Sequence, residues 1–136
     1  MDSLEKSMVF PENHGEILAY LKDKSYNLSI LSNFDYSPTA YKLLDKYDIT
    51  SYFDTILISD EIGWRKPDIK TFKTALENIK EDRSQTVFIG DDLDRDIKGA
   101  YNAGIDSIFI DLNNIKSSFD NYLLKVNSLS EITKVF

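Results

Sequence analysis

Cysteine is missing from this sequence, and histidine and tryptophan occur once each, as His14 and Trp64. Without cysteine the chain can form neither a disulfide framework nor a thiolate zinc site, and it has no thiol nucleophile. An excess of basic residues is also missing, because 16 Lys and Arg stand against 23 Asp and Glu, for a net charge of −7. Nucleic acids and anionic membranes both favour a basic face, so we expect the chain to bind neither.

Long hydrophobic runs are absent as well. No run approaches the roughly 20 residues of a membrane span, and residues 1–10 lack the basic region and long apolar stretch of a signal peptide. We therefore expect a soluble cytoplasmic protein. Hydrophobic residues make up 42% of the 136-residue chain. That content is typical of a globular protein, and the length predicts a single domain over residues 1–136, of which residues 1–14 are irregular.

Short apolar runs alternate along the chain with amphipathic segments of about ten residues. This alternation predicts βαβ units and therefore an α/β fold with a mainly parallel sheet and helices on both faces. The predicted strands are 28–31, 54–59, 86–89 and 107–110, with a short edge strand at 122–126. The predicted helices cover 15–24, begin at Ser37-Pro38, at Pro67 and after Gly90, and end with a helix over 128–135 that Ser128 and Glu131 begin as a capping box. Apolar spacing predicts the buried faces of the first four helices, which include Ile17, Leu18 and Leu21, Ala40 and Leu44, Ile69 and Phe72, and Ala100 and Tyr101.

The stretch 86–104, TVFIGDDLDRDIKGAYNAG, contains the densest chemistry. A buried strand ends at Gly90, and four carboxylates follow within six residues, at Asp91, Asp92, Asp94 and Asp96. Two unit charges about 4 Å apart repel by roughly 4 kcal/mol near a protein surface, and a divalent cation such as Mg²⁺ removes that cost. The alternative is that the acids stabilise the first turn of a helix, which explains Asp94 and Asp96 better than the two at the strand end.

Polar side chains also follow the two preceding strands. Ser32 and Asn33 come after the first strand, and Lys66 lies in the loop after the second. Carboxyl ends of parallel strands share one edge, so these residues should meet the aspartates there and form a phosphate site with Mg²⁺. Each has a plainer interpretation, since Ser32 and Asn33 can cap a turn and Lys66 can be a solvated loop lysine.

Three runs in this order, ILSNFD, RKPD and GDDLDRDIKGAYNAG, resemble motifs II, III and IV of the haloacid dehalogenase superfamily, in the branch with a helical cap. The resemblance extends from about Phe10 to the end of the chain. It implies a Rossmann-like three-layer sandwich that hydrolyses phosphate esters, or less often carbon–halogen bonds, through an aspartyl intermediate with Mg²⁺. The implied substrate is a small phosphorylated metabolite.

The resemblance also implies a role for each matching residue. Ser32 corresponds to the phosphate-binding hydroxyl of motif II, with Asn33 beside it, and Lys66 to the lysine of motif III. Asp91 and Asp96 correspond to the paired acids of motif IV, and Asp91 is the direct metal ligand. Asp92 stands where the family often has serine, and it is the third candidate ligand.

The departure from the family pattern is the missing first motif. Members begin with a strand ending in Asp-x-Asp-x-Thr/Val, whose first Asp is the nucleophile, and nothing before Ser32 fits this pattern. The cap is absent too, because residues 8–15 resemble the return from the cap to the core. The chain thus resembles the C-terminal part of a hydrolase core without its first strand, with Asp35 and Asp60 as the first candidates for a substitute nucleophile.

Three functional hypotheses follow. The chain is a phosphatase core whose missing strand is supplied elsewhere, for example by a second chain, or it is a non-catalytic Mg²⁺- and phosphate-binding or regulatory remnant. The third hypothesis, a receiver-like signalling domain, requires the acids after the first strand and the lysine late, the reverse of this order.

The missing strand predicts a gap between the strands that precede Ser32 and Asp91. The two strands could pair directly, residues 6–10 (KSMVF) could fill the gap, or another chain could donate a strand. We expect residues 6–10 to fill it, because they form the only apolar run without another assignment.

Overall fold

The computed structural model describes residues 14–33, 35–46, 48–134 and 136. The α/β fold and the parallel strand arrangement are confirmed. The strands are β1 (Ser29–Ser32), β2 (Thr55–Ile58), β3 (Val87–Gly90), β4 (Asp106–Ile110) and β5 (Leu124–Val126). The α-helices are α1 (His14–Asp23), α2 (Ser37–Lys46), α3 (Ser59–Ile62), α4 (Ile69–Ile79) and α5 (Gly99–Asn102). A π-helix (Leu93–Lys98) leads into α5, and 3-10 turns cover Thr50–Tyr52, Arg83–Gln85 and Leu129–Lys134.

Among the described residues, the strands form two parallel sheets. β1 pairs with β2 in register from Ser29 opposite Thr55 to Ser32 opposite Ile58. The second sheet has the order β3-β4-β5, with Val87 opposite Asp106 and Ile108 opposite Leu124. Strand bounds shift from the predicted ones by up to two residues, which leaves every predicted strand in place.

Within the described residues, β1 and β3 do not pair with each other. The alternative in which these two strands close up directly is therefore wrong. A cavity of about 420 Å³ lies between them, lined by residues 28–31 and 86–89. Val87 is 38% exposed, and its strand β3 lies at an edge of the described β3-β4-β5 sheet. The predicted filler, residues 6–10, lies outside the described residues.

The helices bury the faces that the sequence predicted, with exceptions. Ile17, Leu18 and Leu21 of α1 are buried, as are Ala40 and Leu44 of α2. The first of these helices packs on the β3-β4-β5 side, where Ile17 and Leu21 contact a cluster that includes the last residues of β4 and β5. Helix α2 packs against β2 and against the 3-10 turn Thr50–Tyr52 that precedes β2.

Four local predictions were wrong. The predicted loop after β2 begins as the helix α3, which ends at Gly63 in the left-handed conformation, with φ of 85°. Ile69 and Tyr101 were expected on buried helix faces, but they are 38% and 51% exposed. The last helix is a 3-10 turn, and Glu131 accepts from the Asn127 N–H at 2.6 Å instead of closing the expected capping box. No helix among the described residues is long and apolar enough to cross a membrane.

Candidate active site

Five buried polar side chains lie at or just after the ends of β1 and β3 and in the connection from β2 to α4. Their exposed fractions are 0% for Ser32, 1% for Asn33, 3% for Lys66, 5% for Asp91 and 0% for Asp96. Buried polar groups are costly unless they are hydrogen-bonded or paired. The concentration of such groups after the ends of β1 and β3 therefore indicates a functional site. Because Lys66 is buried, the interpretation of Lys66 as a solvated loop lysine does not hold.

Asn33 fixes the backbone of Lys66 from both sides. Its side-chain amide nitrogen donates to the Lys66 carbonyl at 3.1 Å, and its amide oxygen accepts from the Lys66 N–H at 3.0 Å. The peptide bond from Lys66 to Pro67 is cis. Asn33 thus joins the end of β1 to the loop that carries the lysine.

The Lys66 ammonium is held by Asp96. Its Nζ lies 2.8 Å from Asp96 Oδ1, and both side chains are fully buried. The same Nζ lies 5.6 Å from the centre of the Phe88 ring, which attracts the cation through its π face. An ammonium has three donors, and the bond to Asp96 uses one of them.

Asp96 depends on Gly90 for its place. A Cβ built on Gly90 would lie 2.5 Å from Asp96 Cβ and Oδ2, so only glycine fits there. Asp96 Oδ2 also accepts from the Asp92 N–H at 3.2 Å. The chain here turns more widely than an α-helix, since the Ile97 N–H reaches the Asp92 carbonyl five residues back. Widened turns of this kind are frequent at functional sites.

Two of the four acidic residues after β3 stabilise the helical turn that follows, the second of the two roles that the sequence left open. Asp92 caps the π-helix, because its Oδ1 accepts from the Asp94 N–H at 3.1 Å and the Arg95 N–H at 2.9 Å. Asp94 forms an exposed ion pair with Lys98 at 2.9 Å. Within the described residues, no group of three or more His, Asp or Glu side chains is placed to hold one metal ion.

The two candidate substitute nucleophiles have structural partners. Asp35 is exposed and forms an ion pair with Arg65. Asp60 Oδ2 accepts from the Ser37 N–H at 2.8 Å and so supports the start of α2. Trp64 is 39% exposed and lies under the Lys70 ammonium, whose Nζ is 4.4 Å from the ring centre.

Sequence reasoning missed two contributors to this site. Gly90 was interpreted only as the end of a strand, and Phe88 only as part of an apolar run. The signal for Gly90 was a glycine directly before aspartates at a strand end, where a close approach is expected. No sequence signal indicated that the Phe88 ring would face the Lys66 ammonium.

Comparison with known proteins identifies the family. The sequence model of the family described as "Haloacid dehalogenase-like hydrolase" matches residues 2–110. This chain belongs to that family. It is 35% identical over 101 residues to a glyceraldehyde 3-phosphate phosphatase of Methanothermobacter thermautotrophicus, covering 74% of this chain and 44% of that protein. It is 32% identical over 104 residues to a phosphoglycolate phosphatase of Aquifex aeolicus, covering 74% of this chain and 48% of the relative.

Solved structures of the family have the same fold. The HAD phosphatase from Thermococcus onnurineus superimposes with a TM-score of 0.80 at 26% identity, over 97% of this chain and 61% of that one. YfnB from Bacillus subtilis, solved bound to magnesium, gives a TM-score of 0.84 at 25% identity, over 96% of this chain and 57% of that one. The chain spans less than half the length of the curated relatives named above.

Proposed function

We propose that this chain is the core of a phosphate-ester hydrolase that binds phosphate and Mg²⁺ at the edge formed by Ser32, Lys66 and Asp91. We further propose that it lacks its own nucleophile and turns over little or no substrate alone. The observation that carries the proposal is the fully buried ion pair between Lys66, in the loop after β2, and Asp96, in the turn after β3. The relatives named above, which are phosphatases, support the reaction class.

The roles divide according to the contacts. The Ser32 hydroxyl and the Lys66 ammonium are the donors for phosphate oxygens, as a buried hydroxyl and a positioned cation suit an anion. Asn33 was predicted to bind phosphate, but both ends of its amide bond the Lys66 backbone. We therefore propose Asn33 as the residue that positions Lys66, and Asp96 as the residue that orients the ammonium.

Asp91 fits a magnesium ion. It is 5% exposed and directly follows β3, so its carboxylate oxygens could hold the ion beside a phosphate bound by Ser32 and Lys66. Mg²⁺ usually takes one or two protein carboxylates and keeps several waters, so a single aspartate is enough to bind the ion. When bound, the ion neutralises phosphate charge. Asp92 and Asp96 remain candidate ligands, although Asp92 also caps the π-helix and Asp96 also binds the Lys66 ammonium.

The chain's own residues then bind and orient a phosphate group without cleaving its ester bond. Lys66 and the Ser32 hydroxyl bind its oxygens, and burial of both side chains excludes water and strengthens the attraction. Hydrolysis through an aspartyl intermediate needs a carboxylate in line with the ester bond. Asp35 and Asp60 are engaged elsewhere, with Arg65 and with the start of α2. A non-catalytic phosphate-binding role is the second candidate, and the missing Asp-x-Asp-x-Thr/Val motif favours it.

Binding of inorganic phosphate with Mg²⁺, followed by backbone NMR, tests the proposal. We expect the amide signals of Ser32, Lys66 and Asp91 to shift, and those shifts to disappear in Ser32→Ala. The matched control is Ser117→Ala, an exposed serine far along the chain. Absence of any shift at these three residues, or equal shifts in both variants, would contradict the proposed site.

Hydrolysis of an aryl phosphate by the purified chain tests the second half of the proposal. We expect turnover no faster than that of a Ser32→Ala control, because a covalent nucleophile typically supplies orders of magnitude in rate. Turnover that scales with protein concentration and vanishes in Asp91→Asn would show that the chain has its own nucleophile.

A further inference from the structure

Two contacts join the loop after β1 to the loop after β2, and one of them is buried while the other is exposed. The buried contact is the double hydrogen bond between the Asn33 side chain and the Lys66 backbone. The exposed contact is the ion pair between Arg65 Nη1 and Asp35 Oδ1, whose side chains are 49% and 89% exposed. Because Asp35 closely follows Asn33 and Arg65 directly precedes Lys66, the two contacts lie side by side between the same loops.

The exposed contact lies on the solvent side of the candidate active site. The chain leaves β1 through the buried Asn33 and reaches the exposed Asp35, so exposure increases with distance from the strand. Arg65 and Lys66 are adjacent, and the Cα atoms of neighbouring residues lie about 3.8 Å apart. The Lys66 side chain is fully buried, whereas that of Arg65 is half exposed. A cation therefore lies at the entrance to the site, one residue from the proposed phosphate-binding lysine.

The ion pair of Arg65 with Asp35 can be exchanged at little cost. Exposed ion pairs add little to stability because water screens them. The pair is also not needed to hold the two loops together, since Asn33 already joins them through two buried hydrogen bonds. A guanidinium carries five N–H donors in a planar fork that matches a carboxylate. The group that Arg65 binds in the structure is itself a carboxylate, which indicates the class of ligand group that could replace it.

We propose that Arg65 binds a carboxylate of the ligand, so that the site prefers phosphorylated compounds that also carry a carboxylate. Asp35 holds the guanidinium at the entrance while the site is empty and releases it when the ligand carboxylate takes its place. Arg65 is then a specificity-determining residue. The inference rests on the proposed function, because it requires a phosphate group bound by Ser32 and Lys66.

Two phosphonates of similar size, which lack a hydrolysable ester bond, test the proposal. Phosphonopropionate carries a carboxylate where propylphosphonate carries a methyl group. In calorimetry with Mg²⁺, the wild type should bind phosphonopropionate at least about fivefold more tightly, because hydrogen bonds between two charged groups are among the stronger ones. Arg65→Gln should bind the two probes equally. The matched control is Lys22→Gln, which removes a cation paired with Asp54 before the start of β2 and should keep the wild-type preference.

Asp35→Asn separates ligand binding from a purely structural role of the pair. Because Asp35 competes for Arg65, its removal should increase the preference for phosphonopropionate by about twofold or more. A pair that only joined the loops would instead make Asp35→Asn and Arg65→Gln weaken both probes alike, and that result would overturn the inference. Equal binding of the two probes by the wild type, or a preference that survives in Arg65→Gln, would also overturn it and leave the phosphate site in place. Failure of the wild type to bind either probe would overturn both this inference and the proposed function.

Discussion

Lys66 and Asp96 form an ion pair in which both side chains are completely buried, with Nζ 2.8 Å from Oδ1. The pair joins the loop after β2 to the turn after β3. Two buried charges stabilise each other only while both are present, because removal of one leaves the other unpaired in a low dielectric. The core therefore depends on the same contact that orients the proposed phosphate-binding ammonium.

Breaking this pair should destabilise the protein strongly. We expect Lys66→Met to lower the free energy of unfolding by about 3–5 kcal/mol, the usual effect of leaving a buried charge uncompensated. The measurement is urea unfolding followed by circular dichroism. Lys98→Met is the matched control, since Lys98 forms an exposed pair with Asp94 that should contribute only about 0.3–0.5 kcal/mol. Similar losses in both variants would contradict the account of Lys66.

Replacing Gly90 should disturb the site through Asp96. In Gly90→Ala the new methyl group would lie 2.5 Å from Asp96 Cβ, so the carboxylate must move away from Lys66. We expect a loss of about 3 kcal/mol or more in unfolding free energy, from overpacking together with the weakened pair. Gly63→Ala is the control, because its Cβ meets nothing within 4 Å and only its φ of 85° is unfavourable, at about 1–2 kcal/mol. The prediction fails if Gly90→Ala unfolds at the wild-type urea concentration.

The sequence was sufficient to predict the strands of the core and the convergence of the residues after them, which the structure shows as the contacts of Asn33 with Lys66 and of Lys66 with Asp96. Strand periodicity and the parallel arrangement determine which ends converge, and neither depends on tertiary detail. The lack of pairing between β1 and β3 in the described part of the chain was also predictable, because a missing strand leaves its two neighbours too far apart to bond each other.

The finer contacts could not be predicted because they depend on side-chain direction in three dimensions. Asn33 bonds backbone atoms 33 residues away, and no local pattern identifies such a partner. Tyr101 has the right spacing for the buried face, yet it lies exposed against the edge of Phe119, in a segment beyond β4. The π-helix changes the angular position of every following residue, so a regular 3.6-residue pattern misplaces that side chain.

Asp54 should make stability depend on acid pH. Hydrogen bonds from the Lys22 ammonium at 2.7 and 2.8 Å and from the Leu28 N–H at 2.8 Å lower the pKa of Asp54 below its usual value. A lowered folded-state pKa means that this carboxylate stabilises the fold above about pH 4 and loses that effect as the pH falls. The stability difference between wild type and Asp54→Asn should therefore shrink below about pH 4. A difference that is constant from pH 7 to pH 3 would contradict this.

The proposed phosphate-binding site depends most directly on Asp91 as its magnesium ligand, and a titration measures this contact. Mg²⁺ should be titrated by calorimetry into the wild type, into Asp91→Asn and into Asp94→Asn, whose aspartate lies three residues along but is exposed and paired with Lys98. The account predicts weak binding to the wild type and to Asp94→Asn, and a loss of at least about tenfold in affinity in Asp91→Asn, because Mg²⁺ relies on few protein carboxylates. Equal binding by the wild type and Asp91→Asn would contradict it.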